Sequence, residues 1–130
     1  MFIRKIHHVQ IAAPPGSEEQ ARTFFAGILG LKEIPKPANL ATRGGAWFSG
    51  GGLEIHVGID HDFKPARKAH VALQTDDLDG LRHHLQQHHI DIWEDEPLPG
   101  YRRFYAADPF GNRMEFVERA VGQEAMSREE

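Results

Sequence analysis

The sequence predicts an α+β fold built from two tandem βαβββ modules. Three observations carry the prediction. Apolar stretches of strand length are separated by Pro, Gly and Asn/Asp clusters. Two stretches have helical rather than strand spacing of their apolar residues. The order strand, helix, strand, strand, strand then occurs twice, with an offset of 62 residues that overlays Val9 on Val71, Ile11 on Leu73 and the first helix on the second.

Each element has a local reason. Ile6 to Ala13 is β-branched at Ile6, Val9 and Ile11 and is stopped by Pro14-Pro15-Gly16, so it reads as a strand. Ser17 is placed to cap a helix whose first turn holds Glu18 and Glu19, where the helix dipole favours negative charge. Ala21, Phe24, Phe25, Ile28 and Leu29 form its apolar face, and Gly30 ends it. Leu31 to Ile34 is a short strand ahead of a loop at 35–43. Ala46 to Phe48 and Leu53 to Ile59 are strands joined by the turn Gly50-Gly51-Gly52. Trp47 and Phe48 point to opposite faces, one to the core and the other to the open side.

A polar connector at 61–68 leads to the second set. Ala69 to Gln74 is a strand, and Thr75 or Asp76 caps a helix with Leu78, Leu81 and Leu85 on one face. Ile90 to Trp93, Arg102 to Ala107 and Arg113 to Glu118 are strands, the last two joined by Asp108-Pro109-Phe110-Gly111-Asn112. The expected organisation is a single domain at 1–118, with module one at about 4–60, module two at about 68–118 and a flexible tail at 119–130.

Composition removes several function classes. The chain has 130 residues, Lys+Arg 15 against Asp+Glu 19 and a net charge of −4, which argues against a nucleic-acid binder. With no cysteine there can be no disulfide, thiolate nucleophile or iron–sulfur cluster. No apolar run approaches the roughly 20 residues of a membrane helix, and the N-terminus lacks the apolar core of a signal peptide, so a cytoplasmic location and no membrane partner are expected.

Nine histidines are unusual for this length. The offset of 62 carries His8 to His70, and an offset of 61 carries Glu54 to Glu115. Each module thus has a histidine at the start of its first strand and a glutamate in its last. Buried carboxylates are costly unless paired or bound to a cation, and two histidines with one or two carboxylates are a donor set for Zn, Ni, Mn or Fe. His83, His84, His88 and His89 lie on the second helix, where His84 and His88 are four apart. They read as a solvated face, since no further ligand accompanies them. The glycine clusters at 44–45 and 50–52 match no nucleotide-binding loop, and Ser17 and Ser49 have no patterned His/Asp partner for a serine nucleophile.

Four stretches carry a family resemblance. They are His7-His8-Val9-Gln10-Ile11, Gly52-Leu53-Glu54-Ile55, Ala69-His70-Val71-Ala72-Leu73 and Asp108-Pro109-Phe110-Gly111-Asn112-Arg113-Met114-Glu115-Phe116. Together they resemble the vicinal oxygen chelate superfamily of glyoxalases, bleomycin- and fosfomycin-resistance proteins, epimerases and extradiol dioxygenases. The resemblance covers about residues 4–118. It implies a curved mixed sheet around a cleft, with one divalent metal ion (Zn, Ni, Mn or Fe) held by His8, Glu54, His70 and Glu115. It also implies that Glu54 or Glu115 acts as a base. By period-two alternation Gln10 shares a face with His8, and His56 with Glu54, so His56 is either a competing ligand or a donor orienting Glu54. Arg103 and Tyr105 match substrate-facing positions; Arg103 either meets an anionic substrate group or pairs with an acidic neighbour.

The leading expectation is a glyoxalase-like, metal-dependent lyase or isomerase acting on a small oxygenated substrate. Glu54, as a fourth ligand, favours it over an Fe(II) extradiol dioxygenase; the third reading is a metal-free, bleomycin-resistance-like binding protein. A homodimer is expected, because each module alone has little core.

Overall fold

The computed structural model describes residues 1–121. The chain divides into two compact units, one spanning Met1–Pro65 and the other running from Ala66 onward. Each is a four-stranded mixed sheet with one helical segment, the βαβββ order expected of the sequence.

In the first unit, β1 (Val9–Ala13) pairs in parallel with β4 (Leu53–Ile59), and β3 (Ala46–Gly50) and β2 (Lys32–Ile34) follow antiparallel in the order β1-β4-β3-β2. The helical segment α1 is α-helical over Glu18–Ala21 and continues into wider π-helical turns over Arg22–Ile28. An ordinary α-helix was expected throughout. Widening brings the consecutive Phe24 and Phe25 closer to one face, and both are buried, with ring centroids 4.9 Å apart. Phe25 packs on Phe48 at 5.5 Å, and Ile55, Val57, Ala46 and Ala21 complete the core. Gly30 ends the segment at φ +80, as a C-terminal glycine does. Ser17 precedes the helix but its side chain makes no capping bond.

The first expected strand was too long. Residues 1–8 lie outside any strand, and Ile6 is exposed. The 35–43 loop contains a single 3₁₀ turn, Ala41–Arg43. It folds back on the helix through a bond from the Gly45 N–H to Glu18 Oε2 at 2.7 Å.

In the second unit the order is β5-β8-β7-β6, with β5 (Val71–Gln74) parallel to β8 (Arg113–Arg119), and β7 (Tyr101–Ala107) and β6 (Ile92–Trp93) antiparallel. Helix α2 (Leu78–Gln87) is capped by Asp77, not by Thr75 or Asp76. The capping oxygen must reach the amide three residues on, and Asp77 Oδ1 accepts the Gly80 N–H at 3.0 Å. Thr75 instead accepts the Asp77 N–H at 3.0 Å. Leu78 and Leu85 are buried on α2, as are Phe104, Ala106, Met114 and Phe116 in the sheet. Strand β8 runs one residue beyond the expected Glu118, and Ala120 is buried with its N–H on the Gly100 carbonyl. Residues 119 and 120 of the expected tail thus belong to the second unit, and residues 122–130 lie outside the described part of the chain.

The turn between β7 and β8 is organised by Asp108. Its Oδ1 accepts the N–H groups of Phe110 (2.9 Å) and Asn112 (2.8 Å), and its Oδ2 accepts the Asn112 side-chain amide (2.8 Å). Gly111 takes φ +90, open to glycine at no steric cost. Burial pushes the Asp108 carboxyl above its usual value, against the pull of these donors. The hairpin register that results sets Tyr105 opposite Glu115. Asp108→Ala leaves three donors without their acceptor and should destabilise the protein by about 2–3 kcal/mol, read as a lower urea midpoint.

Candidate functional site

The open face of each sheet collects the residues singled out in the sequence. In the first unit the ladders place Gln10 opposite His56, His56 opposite Trp47, and Glu54 opposite Ser49, so all five share the face away from Phe48 and Ile55. Phe48 is the core residue and Trp47 the outward one. The Trp47 ring stacks on His56 at 3.7 Å and 3° between planes, and His8 stacks on the other side of His56 at 4.1 Å. Sandwiched this way, His56 is 4% exposed. Its Nε2 donates to Glu54 Oε2 at 2.6 Å, which holds the Glu54 carboxyl below its usual value. His56 orients Glu54, one of the two alternatives open in the sequence. His8 does not touch Glu54; its Nδ1 lies 2.9 Å from that of His7.

In the second unit His70 and Glu115 meet directly, Nε2 to Oε1, at 2.8 Å. The Nδ1 of His70 lies 2.9 Å from the Lys68 carbonyl oxygen. A carbonyl only accepts, so Nδ1 carries a proton. In the neutral ring, Nε2 is then an acceptor aimed at a carboxylate, another acceptor. That arrangement calls for a positive charge between them: a second proton on the ring or a metal ion. The other Glu115 oxygen accepts from Arg103 Nη1 at 3.1 Å, and Arg103 Nη2 donates to the Glu96 carbonyl. Arg103 thus pairs with an acidic neighbour, and that neighbour is Glu115 itself. Its Nε is buried without a hydrogen-bond partner among the described residues. Tyr105 sits opposite Glu115, 97% buried, with Arg113 over its ring at 4.1 Å and Trp93 stacked at 6.0 Å. Neither Arg113 nor Trp93 was singled out in the sequence, although alternation along β8 already puts Arg113 on the Glu115 face.

Burial alone would raise the Glu115 carboxyl, but the bonds from His70 and Arg103 outweigh it and hold it below its usual value. A lowered folded-state value adds stability that is present above the ordinary glutamate value of 4.5 and lost as pH falls through the folded one. Metal-free protein should therefore lose stability from about pH 5 downward. In Arg103→Met, which removes one of the two bonds, the loss should be shallower; urea midpoints at about pH 7 and about pH 3.5 compare the two.

The registers also revise the internal repeat. With Glu54 and Glu115 taken as equivalent, Gln10 lies opposite His56, two residues past Glu54, and Gln74 lies opposite Val117, two past Glu115. Gln10 and Gln74 are thus equivalent, an offset of 64 residues rather than 62. His8 and His70 are not at the same level relative to their glutamates, which agrees with His70 touching Glu115 while His8 lies over His56. Among the described residues no three His, Asp or Glu side chains group closely enough to hold a metal together. Each unit offers a histidine and a glutamate, donors of the kind Zn, Ni, Mn and Fe accept. The rings of His84 on α2 and of His88, just past its end, lie 4.8 Å apart with no carboxylate grouped beside them among the described residues.

A sequence model of the Glyoxalase/Bleomycin resistance protein/Dioxygenase superfamily matches residues 5–116. The chain belongs to this superfamily. A glyoxalase family protein from Bacillus anthracis is 45% identical, with a TM-score of 0.89 over 92% of this chain and 98% of that one. A glyoxalase/dioxygenase from Nostoc punctiforme is 23% identical, with a TM-score of 0.74 over 91% of this chain and 92% of that one. The fosfomycin resistance protein FosX from Listeria monocytogenes, in a mutant complexed with Mn(II) and 1S,2S-dihydroxypropylphosphonic acid, is 16% identical, with a TM-score of 0.76 over 96% of this chain and 98% of that one. The latter two share the fold. No curated protein sequence matches. The vicinal oxygen chelate assignment and the two-module α+β fold are thereby established, and the superfamily has members that bind a divalent metal. No helix among the described residues is long and apolar enough to cross a membrane.

Proposed function

We propose that this superfamily member is a glyoxalase-like, divalent-metal-dependent lyase or isomerase acting on a small oxygenated substrate. The observation that carries the reading is the His70–Glu115 pair: with the ring fixed from behind by Lys68, Nε2 lies 2.8 Å from the carboxylate, a contact that a metal ion or a second ring proton would complete. His8, Glu54, His70 and Glu115 are the proposed ligands of one Zn, Ni, Mn or Fe ion, with the homodimer as the working assembly. When bound, the ion would stabilise negative charge developing on the substrate oxygens.

The chain's own groups divide the remaining work. Both carboxyls are held below the usual value, and Glu115 has both oxygens engaged, by His70 and by Arg103, so it is the better placed to bind. Glu54 has one hydrogen-bonded oxygen and a more open side chain, 28% exposed against 6% for Glu115, and is the better base. His56 fixes the direction of Glu54. Gln10, Arg103 and Tyr105 are the proposed substrate-side residues.

The test loads metal-free protein with each ion in turn and follows solvent deuterium entering small α-hydroxy and α-keto compounds. Metal-dependent exchange that Glu54→Gln abolishes is expected. Oxygen uptake with catechols on Fe(II), untouched by Glu54→Gln, would replace this reading by the dioxygenase, which is favoured by the engagement of Glu54 with His56. No metal uptake at all would leave the metal-free binding protein.

A further inference from the structure

A cleft of about 210 Å³ opens within the first unit, beside Trp47, and carries a feature that the metal ligands do not explain. Its lining includes Gln10, Lys36, Leu40, Arg43, Trp47 and Ile59, with two cations and no carboxylate among the lining residues. Gln10 and Trp47 flank His56 on the open sheet face, so the cleft adjoins the ring that orients Glu54. At Gly58 a Cβ would fall 2.5 Å from the Gln10 amide nitrogen, so glycine there leaves that amide room across the strand.

The cations come from the 35–45 segment. Lys36 donates to the Gly44 carbonyl, which anchors its ammonium at the cleft with donors to spare. Arg43 is exposed, and its guanidinium makes no hydrogen bond or ion pair among the described residues. The Glu18 carboxylate that touches this segment is turned onto the Gly45 N–H at 2.7 Å and does not line the cleft. Glu18 lies near enough to Lys36 to feel its charge, so Arg43 is the less compensated of the two cations. Two cations, a primary amide and an indole in one concavity match a small molecule with a charged oxyanion at one end and a short carbon body. Arg103, for which the sequence left open an anionic substrate group or an acidic neighbour, has its two terminal nitrogens on Glu115 and the Glu96 carbonyl.

We propose that this cleft binds the terminal oxyanion of the substrate, a carboxylate or phosphonate, between Lys36 and Arg43, with the Gln10 amide as a third donor and Trp47 beneath the carbon body. The substrate of the proposed reaction is then a small organic anion, an assignment of class that rests on the reading of the neighbouring face as the reacting site.

Binding is tested without metal, so that it stands or falls apart from that reading. In EDTA-treated Trp93→Phe protein, Trp47 is the sole tryptophan and its fluorescence reports the cleft. The probes are propylphosphonate, butyrate and, as a neutral control, 1-propanol. A saturable change with at least one anion and none with propanol is expected; which anion saturates at lower concentration tells phosphonate from carboxylate. Adding Arg43→Ala should weaken it about tenfold or more, the effect of losing one charged donor. Arg67→Ala, at an exposed cation that does not line the cleft, should leave it unchanged. Saturation by neither anion, an equal response to propanol, or Arg43→Ala binding as tightly as its parent would overturn the proposal.

Discussion

Glu115→Gln should weaken divalent-metal binding by about 100-fold or more and remove metal-dependent turnover, while the protein stays folded. Altering a residue that only orients a ligand typically costs 10–100-fold, so removing a charged ligand should reach the top of that range or exceed it. Glutamine keeps the size and one acceptor oxygen, so the contact with His70 can persist, but the negative charge facing Arg103 is gone. Because Arg103 would then lack its charged partner in a site where Glu115 is 5% exposed, a modest fall in stability should accompany the change. Isothermal titration with Zn or Mn, alongside a urea melt, separates the two effects. Metal affinity within threefold of wild type would remove Glu115 from the ligand set.

Gly45→Ala should be the most damaging single methyl in the first unit, at about 3 kcal/mol or more. The residue sits at φ +83, and a Cβ there would fall 2.1 Å from the Val57 carbonyl oxygen. Neither atom can yield easily, because Val57 is in the ladder opposite Ala46. Shifting Gly45 would also break its bond to Glu18, the tie between the 35–45 segment and α1. Gly51→Ala is the control. It too has a positive φ, +56, but nothing lies within 4 Å of its added carbon, so only the backbone preference of about 1 kcal/mol is lost. Equal thermal midpoints for the two variants would show that the contact with Val57 is not limiting.

Much of this architecture was legible because it depends on local pattern. Leu53–Ile59 alternates and is flanked by glycine, and the structure returns that strand with the expected ends. The Asp108 turn has its composition written in order, and its role as an acceptor of three donors follows from the short side chain. The repeat was legible only up to its period. Alternation in a strand repeats every two residues, so offsets of 62 and 64 place the same residues on the same faces. Only the ladder tells them apart, and with it the difference between His70, which touches Glu115, and His8, which stacks on His56.

The remainder depended on contacts distant in sequence. The widening of α1 answers to a core that must take both Phe24 and Phe25. Asp77 wins the cap over its neighbours by reach alone. The Lys36–Arg43 cleft exists because Glu18 draws Gly45 in from 27 residues away, a closure that no local pattern announces.

The most direct test of the metal-site account is the stoichiometry of divalent metal in wild-type protein after chelation, reconstitution and desalting, read by elemental analysis. The account predicts about one ion per chain for at least one of Zn, Ni, Mn and Fe(II), falling toward zero in His70→Ala. Wild-type protein that retains none of the four, or His70→Ala protein that retains as much as wild type, would contradict it.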